Sequence, residues 1–225
     1  MANTDTLPYL ERNPRSVEEG RSSGTSPLVL LLHGRAAEAK TIFSIEGLLD
    51  PEFRVIAIQA PFDSELGGFE WFPPEAESML ETKNIRPVNK SERMLTRDIQ
   101  FHVERTGSQN SPLFLWGFSQ GAAMALLIGL RGTIQTTGII PMSGFLPNSV
   151  RGWKQWNTNL RVLLAHGSND EVLSKEASQK TRIFLESKSV AVEYVEYYEY
   201  KGRHKMSMES VAYINRWIEQ LTSPT

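Results

Sequence analysis

The chain has 225 residues, no cysteine, and 26 acidic against 24 basic side chains, for a formal net charge of −2 at neutral pH. That balance gives no overall field to attract nucleic acid or an anionic membrane, and the missing thiols exclude a disulfide framework, a cysteine nucleophile and thiolate zinc sites. A chain this long buries a core large enough to fold without covalent staples, and one α/β domain is the expected count.

The opening Met1-Ala2-Asn3-Thr4-Asp5-Thr6-Leu7-Pro8 has neither the basic start nor the apolar stretch of a signal peptide, which fits a cytoplasmic protein. Residues 1–26 read as a polar N-terminal segment or hairpin of the same domain as 27–225, with 11–26 expected as a surface loop or a poorly ordered hairpin. Continuous apolar runs follow at 28–32, 55–58, 113–116, 138–142 and 160–165, the pattern of strands buried on both faces. A sixth run, 192–198, alternates more and is predicted near a sheet edge. Helical stretches fall between them at 37–49, 91–106, 120–130, 175–187 and 207–221. In the last, Val211, Ile214, Trp217, Ile218 and Leu221 share one stripe. Alternating strand and helix predicts a mostly parallel sheet covered by helices, with ligands at the carboxyl ends of its strands.

Two segments stand apart. Residues 61–90 make a connection of unusual length, and Gly67-Gly68-Phe69-Glu70-Trp71-Phe72-Pro73-Pro74 within it either roofs a site beside the strand ends or packs Trp71 and Phe72 beneath a loop. Residues 113–130 are apolar enough to raise a membrane span, but Ser119, Gln120 and three glycines inside them argue for a buried strand and helix.

The junction inside that segment carries the chemistry. Gly117-Phe118-Ser119-Gln120-Gly121 sits where an apolar strand gives way to a small-residue helix, the setting of a nucleophile elbow. A serine hydroxyl needs a base, and the base needs a carboxylate to fix its tautomer and stabilise the imidazolium. On a scaffold of this kind the chain order is Ser, acid, His, and His166 and His204 are the two histidines after Ser119. His166 closes a strand, and Asp170 is the first carboxylate in the loop beyond it, with Glu171 as the alternative acid. His204 lies between the sixth strand and the last helix, at the same sheet edge, and is the expected base. His33 is expected to brace its own loop, and His102 to be a surface or packing residue. Oxyanion donors are expected from the backbone N–H of Gln120 and from the loop Leu31-Leu32-His33-Gly34-Arg35.

Together with Met142-Ser143-Gly144-Phe145-Leu146-Pro147, His166-Gly167 and Gly202, these motifs resemble the phospholipase/carboxylesterase family of α/β-hydrolases, which includes the acyl-protein thioesterases. The resemblance spans about residues 27–221. It implies an α/β-hydrolase fold without a large lid domain, Ser119, Asp170 and His204 as catalytic residues, and the amides of Arg35 and Gln120 as oxyanion donors. The implied reaction is hydrolysis of a small or acyl-chain carboxylic ester or thioester, without cofactor or metal. Proximity to the motif loops puts Trp71, Phe72, Phe145, Leu146 and Met206 forward for an acyl pocket. The acid loop runs Val172-Leu173-Ser174 where a Val-Pro pair is common in the family, and the His-Gly-Arg opening is similar to that of small bacterial-type esterases. The rival readings are a dienelactone-hydrolase-like enzyme, with Arg35 or Arg203 meeting a substrate carboxylate, and a non-catalytic receptor of small ligands on the same fold. The expected partner is a small molecule, and a homo-oligomer is left open.

Overall fold

The computed structural model describes residues 6–20, 25–74, 76, 85–188 and 194–223. In chain order its elements are β1 (Tyr9–Arg12), α1 (Arg15–Glu18), β2 (Leu28–Leu32), α2 (Ala39–Phe43), β3 (Arg54–Ile58), β4 (Phe62–Asp63), β5 (Phe69–Glu70) and α3 (Arg86–Arg105). They continue with β6 (Leu113–Phe118), α4 (Gln120–Arg131), β7 (Gly138–Met142), β8 (Arg161–Gly167), α5 (Glu176–Ser187), β9 (Val195–Tyr200) and α6 (Met208–Thr222). One sheet of seven strands runs β1-β3-β2-β6-β7-β8-β9, and every neighbouring pair is parallel except β1 with β3.

The apolar runs are unbroken because both faces of this sheet are covered. Side chains alternate along a strand, so Leu28, Leu30 and Leu32 of β2 enter one core layer and Val29 and Leu31 the other. The first layer is closed by Val88, Leu95 and Ile99 of α3, by the apolar face of α4 and by Leu185 of α5. The second is closed by Ala39 and Ile42 of α2 and by Val211, Ile214, Trp217 and Ile218 of α6. Each large side chain so buried contributes about 1.5–3 kcal/mol.

The predicted stripe of α6 is therefore its packing face, and Ser207 caps the helix by accepting the Ser210 N–H at 3.1 Å. The membrane question closes too: 113–130 is β6 turning into α4, and no described helix is long and apolar enough to cross a bilayer.

Three expectations need correction. The segment 11–26, expected as loop or hairpin, opens on the last two residues of β1 and holds the short helix α1; β1 is an antiparallel edge strand whose Tyr9 pairs with Ile58 and whose Arg12 guanidinium donates to the carbonyls of Asp50 (2.6 Å) and Phe53 (3.1 Å). An edge strand with polar side chains carries no apolar signal; residues 21–24 of the segment lie outside those described. The helix predicted over 37–49 ends at Phe43, where the Ser44 hydroxyl takes the carbonyl of Thr41 at 2.7 Å, and a separate short turn follows at Glu46–Leu48. The helix predicted from 91 begins at Arg86, with Pro87 in its first turn where a missing N–H costs nothing. The alternating run does form the sheet's far edge, as β9; residues 192 and 193 lie outside the described part.

Candidate active site

Ser119 is the residue between β6 and α4, held at φ 53° and ψ −114°. A non-glycine residue adopts positive φ only when its surroundings enforce it. Here the enforcement is close packing of strand on helix: a Cβ on Gly117 would stand 2.1 Å from Gly121 O, and one on Gly121 2.1 Å from Leu32 O. The Ser119 N–H donates to Met142 O at 2.9 Å, so β7 fixes the turn from the other side.

Two loops at the same sheet edge bring the acid and the imidazole to this hydroxyl. Beyond β8 and β9 the pairing continues as backbone bonds, Ser168 N–H to Tyr200 O and Asn169 N–H to Gly202 O, both 2.8 Å. The Tyr200 hydroxyl donates to Lys205 O at 3.0 Å and pins the second loop from below. His204 Nδ1 consequently donates to Asp170 Oδ2 at 2.7 Å, and the Ser119 hydroxyl lies 3.0 Å from His204 Nε2. Glu171, the alternative acid, is exposed and takes no part in this chain of contacts.

The Asp170 carboxylate is fully buried. Burial alone would raise its pKa, but the N–H of Leu173, the contact with His204 and the N–H of Val172 outweigh burial and hold it below the ordinary carboxylate value. Its Oδ1 accepts both backbone N–H groups, at 2.9 Å from Leu173 and 3.0 Å from Val172. A carboxylate so satisfied stays ionised and cannot swing away from the imidazole.

The first loop is braced as expected. Ala60 N–H donates to His33 Nε2 at 3.0 Å, so the ring hydrogen sits on Nδ1 and is given to Gly34 O at 2.7 Å. Burial lowers the His33 pKa, which keeps that neutral tautomer. In a planar trans peptide the Gly34 carbonyl and the Arg35 N–H point in opposite directions, so this bond turns the Arg35 N–H away from the ring. Gly34 itself lies against the nucleophile: a Cβ there would be 3.3 Å from Ser119 Cβ.

Gln120 does more than its backbone suggests. Its side chain accepts the Trp71 N–H at 2.8 Å and donates to Phe72 O at 2.6 Å, while the Trp71 indole N–H donates to His33 O at 2.9 Å. The long connection is thus tied to the elbow and to the first loop at once. These bonds settle where the two aromatics sit: Trp71 is 0% and Phe72 1% exposed, inside the core, so neither lines the space beside Ser119. Leu146 is likewise buried, with its N–H on Thr181 Oγ1 at 3.2 Å, and Phe145 packs half-buried against the same core. Parts of 61–90, residues 75 and 77–84, lie outside the described chain.

Of the five proposed pocket residues, Met206 reaches the cleft at the nucleophile. That cleft, about 290 Å³, is lined by His33, Gly34, Arg35, Ala37, Thr41, Ile42, Phe118, Ser119, His204, Lys205 and Met206. Thr41 and Ile42 carried no signal in the sequence, because a short helix on the opposite sheet face brings them there. Larger surface hollows, such as the 420 Å³ groove along Glu92, Arg97 and Arg131, lack a nucleophile beside a base. Among the described residues no group of three or more His, Asp or Glu is arranged to hold a metal ion.

The model of the phospholipase/carboxylesterase family matches residues 13–222. Acyl-protein thioesterase 1 of Yarrowia lipolytica is 29% identical over 112 residues, covering 48% of this chain and 49% of that protein. The acyl-protein thioesterase 1 homolog 1 of Dictyostelium discoideum is 24% identical over 207 residues, 87% of this chain and 90% of that one. The chain spans about half the length of the fungal relatives it matches. The crystal structure of esterase PE8 superposes with a TM-score of 0.77 at 23% identity, over 96% of this chain and 98% of the other, a likeness of fold.

Proposed function

We propose, from the premise that this chain belongs to the phospholipase/carboxylesterase family of α/β-hydrolases, that it is a serine hydrolase cleaving carboxylic esters or thioesters through an acyl-enzyme. The observation that carries this reading is the continuous path from Asp170 Oδ2 through His204 to Ser119 Oγ, with links of 2.7 and 3.0 Å.

In this reading Asp170 holds the His204 hydrogen on Nδ1, which leaves the Nε2 lone pair facing the hydroxyl. Ser119 Oγ attacks the substrate carbonyl carbon as its proton passes to Nε2, and the carbonyl π pair becomes an oxyanion between the N–H groups of Arg35 and Gln120. Collapse of that intermediate expels the alkoxide or thiolate, which takes the proton from Nε2 and leaves the acyl group on Oγ. Water repeats the sequence: it loses a proton to Nε2, attacks the acyl carbon, and the proton returns to Oγ as the acid departs. Each oxyanion donor is worth about 3–4 kcal/mol of transition-state stabilisation, so the His33 bond that sets the Gly34–Arg35 peptide bears directly on rate.

We take the chain as one catalytic domain, because β1 belongs to the sheet that carries Ser119. Labelling with a fluorophosphonate tests the reading. Wild type should react at Ser119 and hydrolyse phenyl acetate, and Ser119→Ala should do neither; a Ser119→Ala protein that labels or turns over as wild type refutes it.

A further inference from the structure

We propose that the cleft beside Ser119 receives an anionic leaving group, the smallest form being a short alcohol or thiol bearing a carboxylate, and that Arg35 and Lys205 hold the anion. The inference rests on the serine-hydrolase reading and narrows its substrate class.

Which half of the substrate occupies the cleft follows from the proton path. His204 Nε2 must return its proton to the departing oxygen or sulfur, so that atom lies within hydrogen-bond reach of the ring. One wall of the cleft is the continuous run His204, Lys205 and Met206, and Phe118 and Ser119 also line it. A group leaving toward His204 therefore enters this space. Its volume, about 290 Å³, is at the small end for ligand sites.

The charge of the cleft is one-sided. Apart from histidine, the ionisable side chains on its lining are Arg35 and Lys205, both cations and both exposed. Among the described residues neither has a hydrogen-bond or ion-pair partner for its side chain. Cations elsewhere such as Arg54, Arg131 and Lys175 are engaged, with Glu11, Glu92 and Glu199 respectively. The acid next to the cleft wall, Glu38, is also committed, accepting at the start of α2 and pairing with Lys40 Nζ at 2.8 Å. Two uncompensated cations thus line this cleft beside the nucleophile, in a chain whose net charge is −2. Apolar Ala37, Ile42, Phe118 and Met206 supply the remaining wall and suit a short carbon linker between the scissile bond and the anion.

The test compares the acetyl thioesters of mercaptoacetate and mercaptoacetamide, near-isosteres that differ by one charge, in wild type, Lys205→Met, Arg35→Met and the double variant. Released thiol is read with a disulfide dye. Both substrates use the same Arg35 N–H, so any displacement of that donor lowers both rates together, and the ratio of their kcat/KM values reports the side-chain charge alone. We expect that ratio to fall about threefold for each single change and about tenfold for the double, as for partly screened ion pairs, and to shrink in wild type as salt is raised. A ratio unchanged in the double variant overturns the proposal, as does wild type that cleaves phenyl acetate and neither thioester. Either outcome leaves the serine-hydrolase reading standing. Thioester turnover that persists in Ser119→Ala would instead strike that reading itself.

Discussion

His166 Nε2 lies 3.4 Å from Asp170 Oδ2, the same oxygen that accepts the His204 Nδ1–H at 2.7 Å. The tautomer of His166 follows from its other partners. Leu173 O, 2.8 Å from Nε2, only accepts, so Nε2 carries the hydrogen; Nδ1 then takes the Ser178 hydroxyl at 2.6 Å. Burial lowers the His166 pKa and favours this neutral form. His166 thus holds the carbonyl of Leu173, whose own N–H donates to Asp170 Oδ1 at 2.9 Å, so a second, fully buried histidine sets the loop that fixes the acid.

We predict that His166→Phe lowers kcat about tenfold with KM little changed, the cost of roughly one lost hydrogen bond expressed through geometry, and that His166→Gln recovers part of the loss. Steady-state kinetics on phenyl acetate checks this. A KM effect without a kcat effect, or equal loss in both variants, contradicts a positioning role.

Asp170→Asn should lower kcat by about ten-thousandfold, because an amide in place of the carboxylate favours the wrong imidazole tautomer. Glu171→Gln should stay within about twofold of wild type, since Glu171 is exposed and away from His204. The reverse ranking would mean that the loop moves to present its second carboxylate.

Much of this site was legible before any coordinates. The Gly-Ser-Gly elbow, the acid just past a strand and the histidine before the last helix are local patterns whose meaning is set by chain order, and the paired loops bring them together at one sheet edge. Close packing at Gly117 and Gly121 left a sequence signature because a single Cβ cannot be accommodated. The placement of Trp71 and Phe72, open in the sequence between roof and core, is hard to read for the opposite reason. An aromatic in a long loop looks the same in sequence whether it faces a substrate or the core, and the deciding contact is the side chain of Gln120, distant in the chain. The polar strand β1 was hidden because half-exposed edge strands lack an apolar period.

The Gln120 clamp yields a stability prediction. Gln120→Leu leaves the Trp71 N–H and the Phe72 carbonyl buried without partners, a loss of about 2–5 kcal/mol in total. Urea unfolding followed by tryptophan fluorescence should show the midpoint falling. An unchanged midpoint would mean that the connection is held by other contacts.

Stability should also fall on mild acidification. Burial lowers the pKa of His33 and of His166 from the ordinary 6.5, so below that value the unfolded chain binds more protons than the folded one. Their contribution is complete above pH 6.5 and is lost as pH falls through each depressed folded value, with a slope of up to about 1.4 kcal/mol per pH unit for each histidine. Asp170, held below the ordinary 3.8, acts in the same direction further down: its contribution is present above 3.8 and lost as pH falls through its lower folded value. Urea midpoints measured from about pH 7.5 to 5 should decline, and less steeply in His33→Gln. A level profile in wild type contradicts the burial argument.

The central claim is that Ser119 carries the acyl group. Mixing enzyme with excess p-nitrophenyl acetate, quenching in acid within the first turnovers and mapping the protein by mass spectrometry tests it directly. We predict an acetyl adduct on the peptide containing Ser119, formed with a burst of nitrophenolate and absent from Ser119→Ala. An acetyl adduct on another residue, or a Ser119→Ala protein that turns over with the burst and adduct of wild type, would contradict the account.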